Sequence, residues 1–506
     1  MNPLRRALAR LGWGGARTPA ADASTARREP TVGRRGFKMA SAGGLTKAWS
    51  RRSSGADANQ LIYGDHETLR QRAREQSINA SPLKRFYRLL RQNVIGPYGI
   101  RLQSKAVLPD GKPDRITRRL IEKEWDKFCR KGQFDVTGRY SFVTFCWLWI
   151  ETLARDGEVL VRLLRNWPNR WGFAVQILEA DRLDLNLNQE LDNGNRIRMG
   201  VELDAWERPV AYWLLKYHPG DVYHGPVEEK YERIPADELI HSFDPWRPHQ
   251  VRGFTWTHAA ALDLHHLEEF RQATRIKAEH AAKITGFYEP DAEWLDPPND
   301  DEDDVGAIYE EVEAGTARAL PYGYKYRELN HNTPGSDFAP FVKDTLRSAA
   351  GGLGPSYNRL SNDLEGVSFS SLRDGTLDER DFYKCVQELV ISELLERLGE
   401  TWFECALLKG ALQIPPRDLA RCSEQVWQPR GWDWVDPLKD SKSATESIGN
   451  RTKSRSSYIR ANGDDPDEIF AELADEAERL RELGLLAEPQ PTEETDDAKA
   501  DGTDDE

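Results

Sequence analysis

Val251–Gly286 reads VRGFTWTHAAALDLHHLEEFRQATRIKAEHAAKITG. The stretch is alanine-rich, holds no proline between Phe254 and Tyr288, and stops on Gly286. It therefore predicts one helix over 254–283. A helix of about 30 residues is about 45 Å long, far above the mean of about 11–12 residues. Its apolar stripe (Leu262, Leu264, Leu267, Phe270, Ile276) is thin and is broken by His258, His265, His266 and His280. A stripe this narrow does not suit the middle of an ordinary core. It predicts packing side by side with other copies of the chain.

The 506 residues allow roughly two to four domains. Hydrophobic residues make up 39% and include 16 Trp and 17 Phe, so the core should be rich in aromatics. The longest apolar run, Phe142–Ile150, is broken by Thr144 and is too short to cross a bilayer. Met1–Trp13 has Arg5, Arg6 and Arg10 but no apolar signal-peptide core. The five cysteines form no CxxC pair, which fits a reducing compartment and argues against a zinc site or disulfide framework. Charge is segregated along the chain. Met1–Ala56 carries 12 Lys/Arg against 2 Asp/Glu, and Asp464–Glu506 carries 3 against 18. Both ends read as solvated tails.

Upstream of the long stretch, order is expected from about Tyr63. Two helices follow, the first with a solvated face of Arg70, Arg72 and Arg74, the second opened by Ser81-Pro82. Asp114–Lys131 and Ser141–Ala154 read as further helices. The period then changes to two. Glu158-VLVRLLRN, Phe173-AVQILEA, a two-stranded hairpin over Arg196–His218 turned at Asp204-AWERP, and Tyr231-ERIPADELIHSF make an α+β block over 155–245 with an antiparallel sheet. Downstream come an acidic stretch at Asp300–Asp304, a strand at Lys325-YREL, and a helix over 336–350. A Gly/Ser-dense loop is expected over 351–375. The Thr376-LDE capping box opens a helix that Gly399 stops, and a last helix spans Pro466–Leu485.

Catalytic signatures are scarce in the sequence. There is no GxxxxGK[ST], HExxH or GxSxG, and Gly351-Gly352-Leu353-Gly354 lacks the lysine of a phosphate loop. His265-His266 with Glu268 and Glu269 has metal-ligand spacing, but on a polar helix such residues are more often solvated. Asp300–Asp304 matches no EF-hand. Asp181 and Asp184 are either a carboxylate pair or, more simply, a turn after a strand. Basic residues remain. Arg271 and Arg275 are one turn apart, as are Lys343 and Arg347, and Arg359 and Arg373 lie in the Gly/Ser loop. In a monomer these are ordinary solvated faces. In a ring each becomes a circle of positive charge that meets phosphates without reading sequence.

Seven segments, taken in order, resemble the lambda-like portal proteins of tailed bacteriophages. They are Ala73-REQSINASPLKRFYRLLRQNVIGPYGIRLQ, Ala154-RDGEVLVRLL, Ile177-LEADRLD, Gly200-VELDAWERPVAYWLL, Ile234-PADELIHSFDPWRPHQVRGFTW, Leu360-SNDLEGVSFSSLRDG and Trp427-QPRGWDWVDPLKD. The resemblance covers roughly 60–460. It implies a non-enzymatic, ring-shaped homo-oligomer, a dodecamer at one capsid vertex of the virion, assembled in the host cytoplasm. The ring would pass double-stranded DNA in packaging and ejection. Its implied partners are the terminase large subunit, the major capsid and scaffolding proteins, and head-completion or tail connector proteins. No cofactor, metal or membrane is implied.

The implied fold is α+β, with a mixed α/β wing, a helical stem, a small α/β clip and a helical crown. Laid on this chain, it gives a basic arm at 1–59, wing at 60–253, stem helix at 254–283 and clip at 284–333. A second stem helix follows at 334–350, a tunnel-loop region at 351–375, the wing's second part at 376–434, the crown at 435–485 and an acidic tail at 486–506. Lys343, Arg347, Arg359 and Arg373, then Arg271 and Arg275, become the DNA-facing candidates. Two other readings stay open: another virion structural role, such as a head-completion or minor capsid protein, and a DNA-processing enzyme using Asp181 and Asp184 with Mg²⁺.

Overall fold

The computed structural model describes residues 57–221, 229–283, 286–290, 324–328, 335–365, 367–432 and 437–485. The basic arm (apart from residues 57–59), the acidic stretch at Asp300–Asp304 and the acidic tail lie outside the described residues. The described chain starts with α1 (Ala58–Asn79) and α2 (Ser81–Leu90), which has proline in its first turn and runs into a π-helical turn at Arg91–Ile95. Next come β1 (Arg101–Ser104), α3 (Arg115–Phe128) and α4 (Phe142–Asp156). The Asp114 carboxylate caps α3 by accepting from the Thr117 amide, and Ser141 and Thr144 form a capping box on α4.

β2 (Glu158–Arg165) and β3 (Phe173–Leu178) pair antiparallel, and β9 (Leu239–Phe243) joins β2 on its other side. Between β3 and β9 a second antiparallel sheet runs in chain order: β4 (Gln189–Glu190), β5 (Arg196–Arg198), β6 (Val201–Leu203), β7 (Pro209–Leu215) and β8 (Tyr231–Pro235). There are thus two sheets where one was expected. The predicted first strand of the hairpin is itself a hairpin, because Met199 and Gly200 both take positive φ (47° and 84°) and turn the chain between β5 and β6.

Strand alternation divides the core. Val159, Val161 and Leu163 on β2, with Phe173, Val175 and Ile240, face a large helical core. Leu160, Leu178 and Leu239 face a smaller core under the five-stranded sheet. Aromatic rings fill the helical core. Trp125 meets Phe142, Trp402 and Trp427 edge-on at 5.0–5.5 Å, and Phe128 touches Phe134, Trp171 and Phe173.

A buried ion cluster joins the two sheets. Glu158 is fully buried and accepts from Arg70 Nη2 (2.6 Å), Arg252 Nη2 (2.5 Å) and the Gly253 amide (3.1 Å); His241 Nε2 lies at 3.0 Å. Arg252 also donates to the carbonyls of Ala180, Leu183 and Met199. Such contact requires glycine at Gly157, where φ is +86° and a Cβ would sit 2.0 Å from the Phe254 carbonyl carbon. The predicted solvated face of α1 is therefore wrong for two residues. Arg70 is buried against Glu158, and Arg74 pairs with Asp156 and Asp181; Arg72 alone of the three is exposed.

The helix expected over 254–283 is a 3₁₀ turn at Trp256–Ala259 followed by α5 (Ala261–Lys283) of 23 residues, about 34 Å long. β10 (Gly286–Pro290) pairs with β11 (Tyr324–Glu328). α6 (Phe338–Leu353), α7 (Tyr357–Ser361) and α8 (Phe369–Val390) follow. The expectation of a structureless loop over 351–375 is thus not met. Gly351 and Gly352 finish α6, and a Cβ at Gly352 would lie 3.3 Å from Ala259, so small residues there let helices approach. Ser368, not Thr376, caps α8.

Nor does Gly399 stop the helix. A π turn at Ile391–Leu395 carries α8 into α9 (Glu396–Leu408). A Cβ on Gly399 would meet Gln425 Oε1 at 2.4 Å and Trp427 Cζ2 at 2.6 Å. This glycine serves a close approach to β12 (Gln425–Gln428), which pairs with β1. A short α10 (Leu419–Cys422) precedes β12, and α11 (Pro437–Gly449), α12 (Arg455–Ala461) and α13 (Pro466–Glu482) end the described chain.

Candidate nucleic-acid interface

α5 and α6 are antiparallel neighbours. Phe270 stacks on Phe338 (centroids 5.6 Å apart) and meets Phe341 edge-on, while Ser348 Oγ at the other end bonds Asp263. The pair buries Leu264, Leu267 and Leu346 but leaves Leu262 (63%), Ile276 (47%) and Phe341 (51%) exposed.

Lys343 and Arg347 lie one turn apart on α6 and share one aromatic seat. Lys343 Nζ sits 5.9 Å and Arg347 Cζ 5.5 Å from the Tyr357 ring centroid. The Tyr357 hydroxyl donates to Asp363 Oδ2 (2.7 Å), which Lys343 Nζ approaches at 3.5 Å. The hydrogen bond from Tyr357 holds the Asp363 carboxyl below its usual range, and burial with that bond pushes the phenol up.

Arg359, on α7, turns to a different partner. Its Nε is 3.9 Å from Glu379 Oε2, and about half of its side chain is exposed. Arg373, near the start of α8, reaches Asp440 on α11 at 3.4 Å. Arg271 is half-buried and Arg275 exposed on α5, with Arg275 3.4 Å from Glu268. So the fold brings Lys343 and Arg347 together, places Arg359 two residues beyond their tyrosine, and sends Arg373 elsewhere. The charged partners of Lys343, Arg359, Arg373 and Arg275 stand at 3.4–3.9 Å.

The carboxylates of the enzymatic reading are taken up separately. Asp181 pairs with Arg74 and Arg70, whereas Asp184 accepts from Tyr231 (2.6 Å) and Lys230 (3.2 Å). They do not converge on a metal. His265 Nε2 and His266 Nδ1 each lie 3.4 Å from a different oxygen of Glu269, so one exposed carboxylate is shared between the two histidines. Among the described residues one group, Glu179, Asp181 and His218, has donor atoms within 4.8 Å of one another, but it is partly exposed and Arg74 already engages Asp181.

Sequence reasoning missed a second basic cluster. Arg85, Arg88 and Arg91 lie three residues apart on α2 and its π extension, and they line a cavity with Arg359, Arg380 and Arg430. The i, i+3, i+6 spacing was visible. The approach of Arg380 and Arg430 from about 300 residues away was not.

Comparison with known proteins adds the following. A family model described as phage portal protein, lambda family, matches residues 42–387. The chain is 58% identical over 498 residues to the probable portal protein of Halomonas phage phiHAP-1, covering 95% of this chain and 96% of that one. It is 22% identical over 408 residues to portal protein B of Escherichia phage lambda, covering 73% and 75%. A distant likeness extends to a chain in the neck of the native GTA particle computed with C12 symmetry, with a TM-score of 0.47, 14% identity, and 79% and 94% of the two chains covered.

Proposed function

The chain belongs to the lambda family of phage portal proteins, a structural family of the virion rather than one of enzymes, and on that premise we propose that twelve copies close into a ring at one capsid vertex. The ring passes double-stranded DNA during packaging and ejection, nucleates head assembly, and docks first the terminase large subunit and then head-completion or tail proteins. In this reading α5 and α6 are the stem, the paired sheets are the wing, β10 and β11 belong to the clip, and α11–α13 form the crown. Assembly takes place in the host cytoplasm.

One observation carries the reading. The α5–α6 pair keeps Leu262, Ile276 and Phe341 exposed on a two-helix layer that has too little apolar burial to stand alone. Neighbouring copies supply the missing cover. Lys343 and Arg347 beside Tyr357, with Arg359 and Arg373, then form rings of positive charge. Weak, exchangeable phosphate contacts lower the barrier to a sliding duplex, whereas tight ones would arrest it.

The test separates assembly from transport. Leu262→Asp with Ile276→Asp should leave folded subunits of 57.7 kDa that do not close into rings. Arg359→Ala with Arg373→Ala should leave rings intact but disturb DNA packaging or retention. Normal rings in the first variant, or normal packaging and retention in the second, would remove the corresponding assignment.

A further inference from the structure

α13 leaves the body of the subunit after its first turn. Asp465 caps the helix by accepting from the Asp467 amide (2.9 Å), Pro466 is buried, and Arg118 Nη1 lies 3.3 Å from Asp467. From Phe470 to Leu485 every residue is exposed except Ala477, which is half-buried. The exposed length is not polar all round: Leu473, Leu480 and Leu483 are 52%, 41% and 63% exposed. A helix of 17 residues is marginal in water without packing. An apolar stripe on a helix that stands free marks a face that something covers.

The spacing says what that cover is. Phe470, Leu473, Ala477 and Leu480 recur at intervals of three, four and three residues. This is a coiled-coil seam, with Phe470 and Ala477 at a and Leu473 and Leu480 at d. The two flanks of the seam differ. The g flank holds Ile469, Glu476 and Leu483; the e flank holds Asp467, which Arg118 already answers, then Ala474 and Arg481. When parallel neighbours meet g to e, Ile469 falls opposite Ala474 and Glu476 opposite Arg481. A bulky flank with a carboxylate thus fits a small flank with a guanidinium. Reversing one helix, with the apolar layers kept together, sets Glu476 against its own copy. Five of the helix's seven carboxylates (Glu468, Glu472, Asp475, Glu478 and Glu482) lie at b, c and f, away from the seam, so its acidity does not oppose the contact.

We propose that α13 is an interaction surface for α13 of a neighbouring copy, the bulky flank of one helix seated in parallel on the alanine flank of the next. The inference rests on the ring reading above, because contact between two unlike flanks is head-to-tail and gives a ring when the rotation closes. A two-fold pair would instead match each seam with itself. Parallel packing also suits the anchorage, since it leaves the first turns of both helices, and the subunits that hold them, at the same end. The contact is a second belt between subunits, separate from that of the exposed stem residues Leu262, Ile276 and Phe341.

Cysteine cross-linking in the full-length protein reads the contact. A Cys385→Ser background removes the exposed native thiol. In that background one chain carries Leu473→Cys and a second, coexpressed chain carries Ala474→Cys; mild oxidation is followed by non-reducing electrophoresis. A d position faces the e position of the next parallel helix. The mixture should therefore give dimers of twice 57.7 kDa, about tenfold above a mixture in which Asp475→Cys, on the outer face, replaces Ala474→Cys. Arg481→Glu on all chains should lower the yield about two- to threefold, and Glu476→Arg added to it should restore the yield. Leu473→Cys chains that link to one another when alone would overturn the assignment in favour of two-fold pairs. Imaging of the same samples separates the remaining outcomes. Closed rings whose mixture stays at background would overturn this inference and leave the ring reading standing, whereas an absence of rings would remove both.

Discussion

Two sets of arginines sit in this subunit and behave oppositely. Arg252 and Arg70 are buried, and the hydrogen bonds that Arg252 makes go to Glu158 and to backbone carbonyls in the turn after β3 and in the turn between β5 and β6. Lys343, Arg347 and Arg359 are partly exposed, rest on an aromatic ring or a distant carboxylate, and keep much of their hydrogen-bonding capacity for something else. The difference shows where positive charge is architecture and where it is available for a partner. A guanidinium saturated by fixed acceptors defines a fold, whereas one held at 3.9 Å beside open solvent is ready to meet a passing anion.

The sharpest way to break the contrast is Arg252→Ala. It strips Glu158 of its strongest partner and leaves the carbonyls of Ala180, Leu183 and Met199 without theirs, so the expected loss is about 3–5 kcal/mol. Urea unfolding followed by tryptophan fluorescence would measure it. An unchanged midpoint would mean that the cluster is not what joins the two sheets. A smaller loss, about 1–3 kcal/mol from overpacking, is expected for Gly399→Ala, which drives a methyl into Trp427 and Gln425. The same unfolding assay reads it, and a neutral outcome would restore the view of Gly399 as a mere helix stop.

The buried set should also respond to acid. Burial holds His66 and His241 below the usual imidazole range despite the hydrogen bond each makes with Glu158. Burial disfavours the Glu158 carboxylate, but Arg252 and the histidines outweigh that and hold its carboxyl well below the usual value. For all three groups the unfolded chain binds protons first. Stability is therefore full above about pH 6.5, the unfolded histidine value. It falls as pH drops below that through the histidines, and again below about 4.5 through Glu158. Thermal unfolding between pH 8 and 4 would show the decline, and a flat profile would contradict it. At the other extreme, Lys343→Ala with Arg347→Ala should leave the unfolding midpoint unchanged, since exposed pairs contribute little. A large destabilisation would move these residues into the architectural set.

Much of the architecture was legible beforehand. The helix read over Ser141–Ala154, with its run Phe142–Ile150, and the strands at Glu158 and Phe173 each obey a local rule and fold where that rule puts them. The misreadings share one physical origin. Glycine was taken as punctuation at 351–352 and 399, where it permits two elements to touch, and the partners at Ala259 and Trp427 are far away in sequence. Arg70 looked solvated because its acceptor, Glu158, lies 88 residues on. In the candidate interface the Lys343–Arg347 spacing was readable, but Tyr357 as their common seat was not, because the loop expected there is largely helical.

Direct imaging of the purified full-length protein, with mass measured on the same particles, bears most immediately on how copies assemble. Subunits whose exposed stem residues find cover in one another should give closed rings of twelve times 57.7 kDa with an axial opening wide enough for duplex DNA. Particles that remain single subunits at every concentration and salt, or assemblies with a blocked axis, would contradict it.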